Sequence, residues 1–219
     1  MNEREFWDKK ILTWERNSYA EKRLWGGPLR ARRDLFLKLS EKHLEGKTVF
    51  EAGCGSGRLV EELFARGIKR YVGFDLSPVA IVEAKERALR AGLAGRAEFV
   101  AADVSALAQK NKSDFGSADF SFSLGLLDWL TDESALTFFR NLKTPSYLHS
   151  FSERRFSMAR VLHRAYVISA YGRKNLTYTP KYRRVDEIED LLEESGNREP
   201  SIYRNSKMSF SAFAFSFVK

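Results

Sequence analysis

The sequence predicts a doubly wound α/β fold, a mostly parallel sheet with helices on both faces. Three observations lead there. From Lys47 onward, short apolar strands alternate with helical stretches. The first strand runs directly into a glycine-rich turn, Gly53-Cys54-Gly55-Ser56-Gly57, that opens a helix. The next two strands end on acids, Asp75 and Asp103. In such sheets ligands bind beyond the carboxyl ends of the strands, where strand order reverses.

Taken in order, residues 1–45 read as helical. Apolar and aromatic residues recur through Phe6, Trp7, Ile11, Leu12, Trp14 and Tyr19. Gly26-Gly27-Pro28 breaks the pattern, and a second helix passes through Leu35 to Leu39. Thr48 to Ala52 is a buried strand, Arg58 to Arg66 a helix, and Tyr71 to Asp75 the second strand. Ser77 caps the next helix, Pro78 suits its first position and Gly92 its end. The third strand covers Ala97 to Ala102 and the fourth Ala118 to Leu124. Thr131 caps a helix from Asp132 to Asn141, and a fifth strand lies near Tyr147-Leu148-His149. A helix from Glu153 to about Tyr166 follows, then another from Asp186 to Glu194 closed by Gly196. A short sixth strand lies around Ile202-Tyr203. The last strand, Ser209 to Val218, puts Phe213, Phe215 and Phe217 on one side and Phe210, Ala212 and Ala214 on the other, a pattern for a strand covered on both faces. The chain thus divides into a helical N-terminal segment, 1–45, and an α/β domain, 46–219, with an insertion at about 151–184.

Composition excludes several classes. The 219 residues include one cysteine, Cys54, so an intrachain disulfide and a Cys-x-x-Cys metal site are ruled out, and no metal is expected. No apolar run approaches the roughly 18 residues of a membrane-crossing helix. The first residues lack the apolar stretch of a secretory signal, so a cytoplasmic location is expected. The formal net charge is +8, and it is local. Between Phe151 and Arg184 stand nine basic residues and a single acid, Glu153. Such a segment attracts phosphates, nucleic acid, acidic lipids or acidic small molecules.

The glycine turn has GxGxG spacing, with Arg58 where a dinucleotide fingerprint would place a small residue. A carboxylate at Asp75 can accept hydrogen bonds from a ribose diol. This set, glycines after one strand and acids after the next two, resembles class I S-adenosylmethionine-dependent methyltransferases over roughly Lys47 to Ser150. The resemblance implies a Rossmann-like sheet of seven strands whose last strand, here Ser209 to Val218, is antiparallel. It implies S-adenosylmethionine as cofactor. Gly53, Gly55 and Gly57, with Cys54 as a small packing residue, would pass beside the methionine moiety, and Glu51 would orient it. Asp75 would hold the ribose, with Leu76 against the adenine. Asp103 and Val104 would recognise the adenine edge, and Leu124 would line the methionine side. The N-terminal helix would fold over the cofactor, with Trp14 and Tyr19 shielding the sulfonium.

For the acceptor, the sequence after the fourth strand, Ser123-Leu124-Gly125-Leu126-Leu127-Asp128, lacks the tetrapeptide of enzymes that methylate exocyclic base amines. Cys54 lies inside the cofactor loop, which disfavours carbon methylation of pyrimidines. His149, after the fifth strand, is the candidate general base. Arg154 and Arg155, near a strand end, are candidate contacts to an anionic acceptor. The expected function is therefore methyl transfer to an anionic small-molecule or lipid-linked acceptor, at oxygen. Alternatives are an RNA methyltransferase and a non-catalytic cofactor-binding protein.

Overall fold

The structure, a computed structural model, describes residues 2–19, 27–109, 118–141, 144–158, 160–162, 164–165, 179–205 and 210–218. Seven strands form one sheet: β1 Thr48–Ala52, β2 Arg70–Asp75, β3 Ala97–Ala101, β4 Phe120–Leu124, β5 Ser146–Ser152, β6 Ser201–Arg204 and β7 Ser211–Ser216. Their spatial order is β3-β2-β1-β4-β5-β7-β6. Pairings from β3 through to β5 are parallel, and β7 runs antiparallel to both β5 and β6. The expected fold, including the reversed last strand, is what the chain adopts.

The helices are α1 Glu3–Tyr19, α2 Gly27–Ser40, α3 Val60–Ala65, α4 Pro78–Arg90, α5 Asp132–Asn141 and α6 Val185–Glu194. The Ser77 hydroxyl accepts from the Ala80 N–H at 3.2 Å, the cap that the sequence announces. Side chains alternate along the strands, so two cores form, one per face. Val49, Tyr71, Phe122, Leu148 and Phe213 meet Phe36 of α2, Leu63 of α3 and Ala84 of α4. On the other face, Phe50, Val72, Phe74, Ala212 and Ala214 meet Phe138 of α5 and Leu192 of α6. Ala212 and Ala214 of β7 face α5 and α6, and Phe213 and Phe215 belong to the α2 side.

Strand order reverses between β1 and β4, and β1 pairs in parallel with β2 on one side and β4 on the other. The reversal opens a crevice at the carboxyl ends of those strands. Helix α1 packs against α2 and α4 and so lies along this end of the sheet.

One element differs from expectation. The helix expected from Glu153 does not begin there. Glu153 forms a bridge with Arg183, its N–H donates to the Phe210 carbonyl, and the Arg154 N–H donates to the Arg183 carbonyl. These bonds hold residues 153–154 as an extension of β5. Helical structure starts at Met158. Arg173 and Lys174 of the basic segment lie outside the described residues.

Candidate active site

The end of β1 turns sharply because its glycines accept it. Gly53, Gly55 and Gly57 have φ of 72°, 52° and 68°, the left-handed region that side chains disfavour. The N–H groups of Gly53 and Cys54 both donate to the Phe74 carbonyl, at 2.8 and 2.9 Å, and tie the turn to the end of β2. Beside it stands Asp75, 8% exposed. Its Oδ2 accepts from the Gly55 N–H at 2.8 Å and its Oδ1 from the Ser77 N–H at 2.9 Å. A carboxylate has about four acceptor positions. Each Asp75 oxygen therefore retains capacity for a hydroxyl of a bound ligand. Leu76 follows, half-buried.

At the end of β3, Asp103 is exposed, and its Oδ1 accepts from the Ser105 N–H at 2.8 Å and the Ser105 hydroxyl at 2.7 Å. Val104 is buried, and Leu124 is half-buried at the end of β4. Thus the structure gathers Gly53, Cys54, Gly55, Gly57, Asp75, Leu76, Asp103, Val104 and Leu124 at one end of adjacent strands.

Glu51 lies deeper, 4% exposed, and accepts a 2.5 Å hydrogen bond from the Tyr71 hydroxyl. Burial, reinforced by the charges of Glu15 and Asp75, pushes its carboxyl up to about 8 despite that bond. Burial also pushes Asp75 up to about 6, against its two backbone hydrogen bonds. The Cys54 thiol is raised well above its ordinary value by burial and by Asp75, Glu51 and Glu15, so it is a packed group, not a nucleophile. Gly73 of β2 makes this packing fit. A Cβ there would lie 2.9 Å from the Cys54 sulfur and from the Tyr71 hydroxyl.

The raised Glu51 has a consequence for pH dependence. The folded chain holds a proton up to about pH 8 that the unfolded chain releases near its ordinary value of 4.5. The stability linked to Glu51 is whole below pH 4.5 and is lost as pH rises toward 8. Glu51→Gln removes the ionisation and keeps an acceptor for Tyr71. Its melting temperature relative to the native chain should climb across that window, by an amount on the order of 5 °C. A gap between the two melts that stays constant from about pH 5 to pH 8 would contradict this assignment.

Sequence reasoning did not single out the groups that α1 brings. Glu15, 5% exposed, accepts from the Ser56 N–H at 2.9 Å, from the Ser56 hydroxyl and from Arg58 Nε at 3.1 Å. A side chain at Gly55 would overlap the Glu15 carboxylate. Farther along α1, Asp8 accepts from the Ser77 hydroxyl at 2.5 Å. Trp7 meets the Trp129 ring edge-on at 4.8 Å. Glu3 is raised by burial and by the nearby charge of Asp103. Helix α1 therefore spans the carboxyl ends of β1 to β4 and closes over the glycine turn. Neighbouring carboxylates there repel one another, and Arg58 is the guanidinium that meets Glu15. Such a site favours a cationic ligand. The signal available in the sequence was a pair of acids, Asp8 and Glu15, two turns apart on the helix face that also carries Ile11.

Two expected contacts of this helix are not established. The side chains of Trp14 and Tyr19 lie outside the described residues.

On the acceptor side the structure corrects one assignment. His149 sits within β5, 2% exposed, with its Nδ1 3.0 Å from the Ser123 hydroxyl. Phe138, Phe139 and Tyr147 surround its ring. Burial lowers its pKa to about 3. It faces α5 rather than the cleft, because alternation along β5 sends Leu148 one way and His149 the other. A general base must reach the proton that it removes, and His149 is enclosed.

Arg154 pairs with Glu187 at 2.7 Å and Arg155 with Glu153 at 3.6 Å. Arg160 instead lies 5.8 Å over the Tyr182 ring, and the charges of Arg160 and Arg164 act on that half-buried phenol. Beneath them a polar network is buried in the fold. Arg32 of α2 meets Asp128 at 3.3 Å and donates to Ser152 and Ser211 at 2.9 Å each. Asp128 also accepts from the Ser152 N–H at 2.6 Å. The Lys181 N–H donates to the Asp128 carbonyl at 2.6 Å, which returns the basic segment to the end of β4.

Comparison with known proteins agrees with this geometry. Residues 49–144 match the family model described as a methyltransferase domain. A 56-residue stretch, 26% of this chain, is 44% identical to ribosomal protein L11 methyltransferase of Aliivibrio fischeri. That match spans 19% of the relative's own length, so the chain covers about a fifth of the curated protein. Magnesium protoporphyrin IX methyltransferase from Synechocystis PCC 6803, solved with bound SAH, superposes with a TM-score of 0.70 at 18% identity, over 97% of this chain and 96% of that one. Mitomycin 7-O-methyltransferase superposes with a TM-score of 0.61 at 17% identity, over 94% and 66%. At these identities the structural likeness is one of fold.

Proposed function

We propose that the chain is a class I S-adenosylmethionine-dependent methyltransferase, a reading supported by the match of residues 49–144 to a methyltransferase domain, and that it methylates an ionised oxygen on an anionic small-molecule or lipid-linked acceptor. The observation that most supports the cofactor half is Asp75, buried beside the Gly55 N–H with acceptor capacity left on both oxygens. The residues present fit S-adenosylmethionine. Asp75 would take the ribose hydroxyls. Leu76, Asp103 and Val104 would frame the adenine. Gly53, Gly55 and Gly57 would let the methionine part approach the backbone, with Leu124 across from them. Glu15 would turn from Ser56 and Arg58 toward the ligand's positive charge, and α1 would serve as the lid.

Bound S-adenosylmethionine supplies a methyl group on positively charged sulfur. What the chain must add is alignment, which can contribute about 7–11 kcal/mol toward a displacement. A proton acceptor is needed only when the nucleophile is a neutral hydroxyl. Among the described residues neither histidine offers one at the cleft: His149 is enclosed and His43 stacks on Phe217. A carboxylate acceptor arrives already deprotonated and needs only to be positioned. Arg160, Arg164 and Tyr182 are the side chains that we assign to that task, because Arg154 and Arg155 are already directed to Glu187 and Glu153.

The test is an acceptor screen, weighted toward carboxylated and phosphorylated metabolites, with methyl transfer read by mass. With an acceptor in hand, Arg160→Glu with Arg164→Glu should raise its KM on the order of tenfold and change kcat little. An unchanged KM would dismiss the cationic wall. Methylation confined to uncharged acceptors would dismiss the acceptor class.

A further inference from the structure

We propose that the segment following β5 docks this chain on an anionic lipid surface. The inference stands on the basic segment and its contacts and does not depend on the reaction assigned above.

Met158, Val161, Leu162 and Ala165 recur at i, i+3, i+4 and i+7, the spacing of one helix face. Such a stripe ordinarily faces the core. Here it faces outward: Met158 is 65% exposed, Val161 48% and Leu162 51%. Ala165 is exposed too, and the Phe156 ring just before the helix is 82% exposed. Of the eight large apolar side chains exposed among the described residues, four fall in this short stretch. The side turned toward the body carries Arg160, which lies over Tyr182. The amphipathic order is inverted, and an apolar stripe turned outward gains free energy when a second apolar medium covers it.

Charge identifies that medium. Nine basic residues against one acid occupy 151–184. The one acid, Glu153, is buried and held by Arg204 through bonds of 2.8–3.1 Å. Among the described residues, Arg154, Arg155, Arg160 and Arg164 accompany the apolar stripe in the chain, and no exposed carboxylate of the same segment does. Apolar tips with cationic flanks match the acyl boundary and headgroups of an anionic bilayer. A protein groove would need matching acids in fixed positions. The segment also returns to the end of β4 through the Lys181–Asp128 bond, which sets this surface beside the cleft. No described helix is long and apolar enough to cross a membrane, so the contact would be peripheral.

The experiment is sedimentation of the full chain with vesicles of phosphatidylcholine alone, and of phosphatidylcholine with roughly 30% phosphatidylglycerol. The chain should sediment with the second and not the first. Phe156→Ser with Met158→Ser should weaken that partitioning about tenfold or more, and added salt should weaken it further. The melting temperature and S-adenosylmethionine titration of this variant should match the native chain, which separates failure of docking from failure of the fold or of the cofactor assignment. The proposal is overturned if neither vesicle sediments the chain, or if native and variant sediment alike. It is equally overturned if the stripe proves to be a contact between two copies, seen as a lipid-free dimer that the double substitution dissolves.

Discussion

Asp75→Ala is expected to weaken S-adenosylmethionine binding by about a hundredfold or more, beyond ready detection by calorimetry. Two hydrogen bonds to a charged acceptor are removed, each contributing about 1.5–3 kcal/mol. The loss has a second component, because Asp75 also holds the Gly55 and Ser77 N–H groups and so shapes the turn itself. Asp75→Asn separates the two. It keeps one acceptor oxygen and the side-chain volume while removing the charge, so binding should fall less than in the alanine variant. A cationic ligand should also draw protons off the raised carboxyls. Asp75 at about 6 and Glu51 at about 8 both titrate near neutrality in the free chain. Calorimetry near pH 7 in two buffers of different ionisation enthalpy should therefore show net proton release on binding. Equal affinity of the native chain and Asp75→Ala would remove the cofactor assignment.

The largest expected effect on stability belongs to the buried pair beneath the acceptor side. Arg32 and Asp128 are 5% and 6% exposed and lie 3.3 Å apart. Asp128→Ala leaves a guanidinium buried without its counter-ion, and Ser152 loses the acceptor of its N–H. The expected loss is about 3–5 kcal/mol in denaturant unfolding. Arg32→Met alone should cost a comparable amount, because the carboxylate is then stranded. The double variant Arg32→Met/Asp128→Leu should recover much of the deficit, since neither charge remains to be desolvated. Strictly additive losses would show that the two side chains act independently.

The elements differ in how openly the chain declares them. Strand β1, the Ser77 cap and α5 were readable residue by residue, because alternation, capping and helical spacing are set within a few positions. The glycine turn and Asp75 were equally plain, since a left-handed bend requires glycine and the next strand end supplies the acid. The basic segment was harder. Its arginines are evident, but the bridge from Glu153 to Arg183 postpones the helix, and that bond joins residues far apart in sequence. For His149, position near a strand end suggested the cleft. Strand parity decided otherwise and sent the ring under α5.

Local patterns thus suffice for the sheet, its order of helices and strands, and the ligand-facing turn with its acids, because each depends on neighbours in the chain. The closing of α1 over that turn depends on Glu15 meeting Ser56, 41 residues away. The buried pair depends on Arg32 meeting Asp128 across 96 residues and Ser211 across 179. Contacts at such separations leave no periodic trace. They exist only once the packed layers bring the partners together, and burial then raises the carboxyls of Glu51 and Asp75 at the ligand-facing turn.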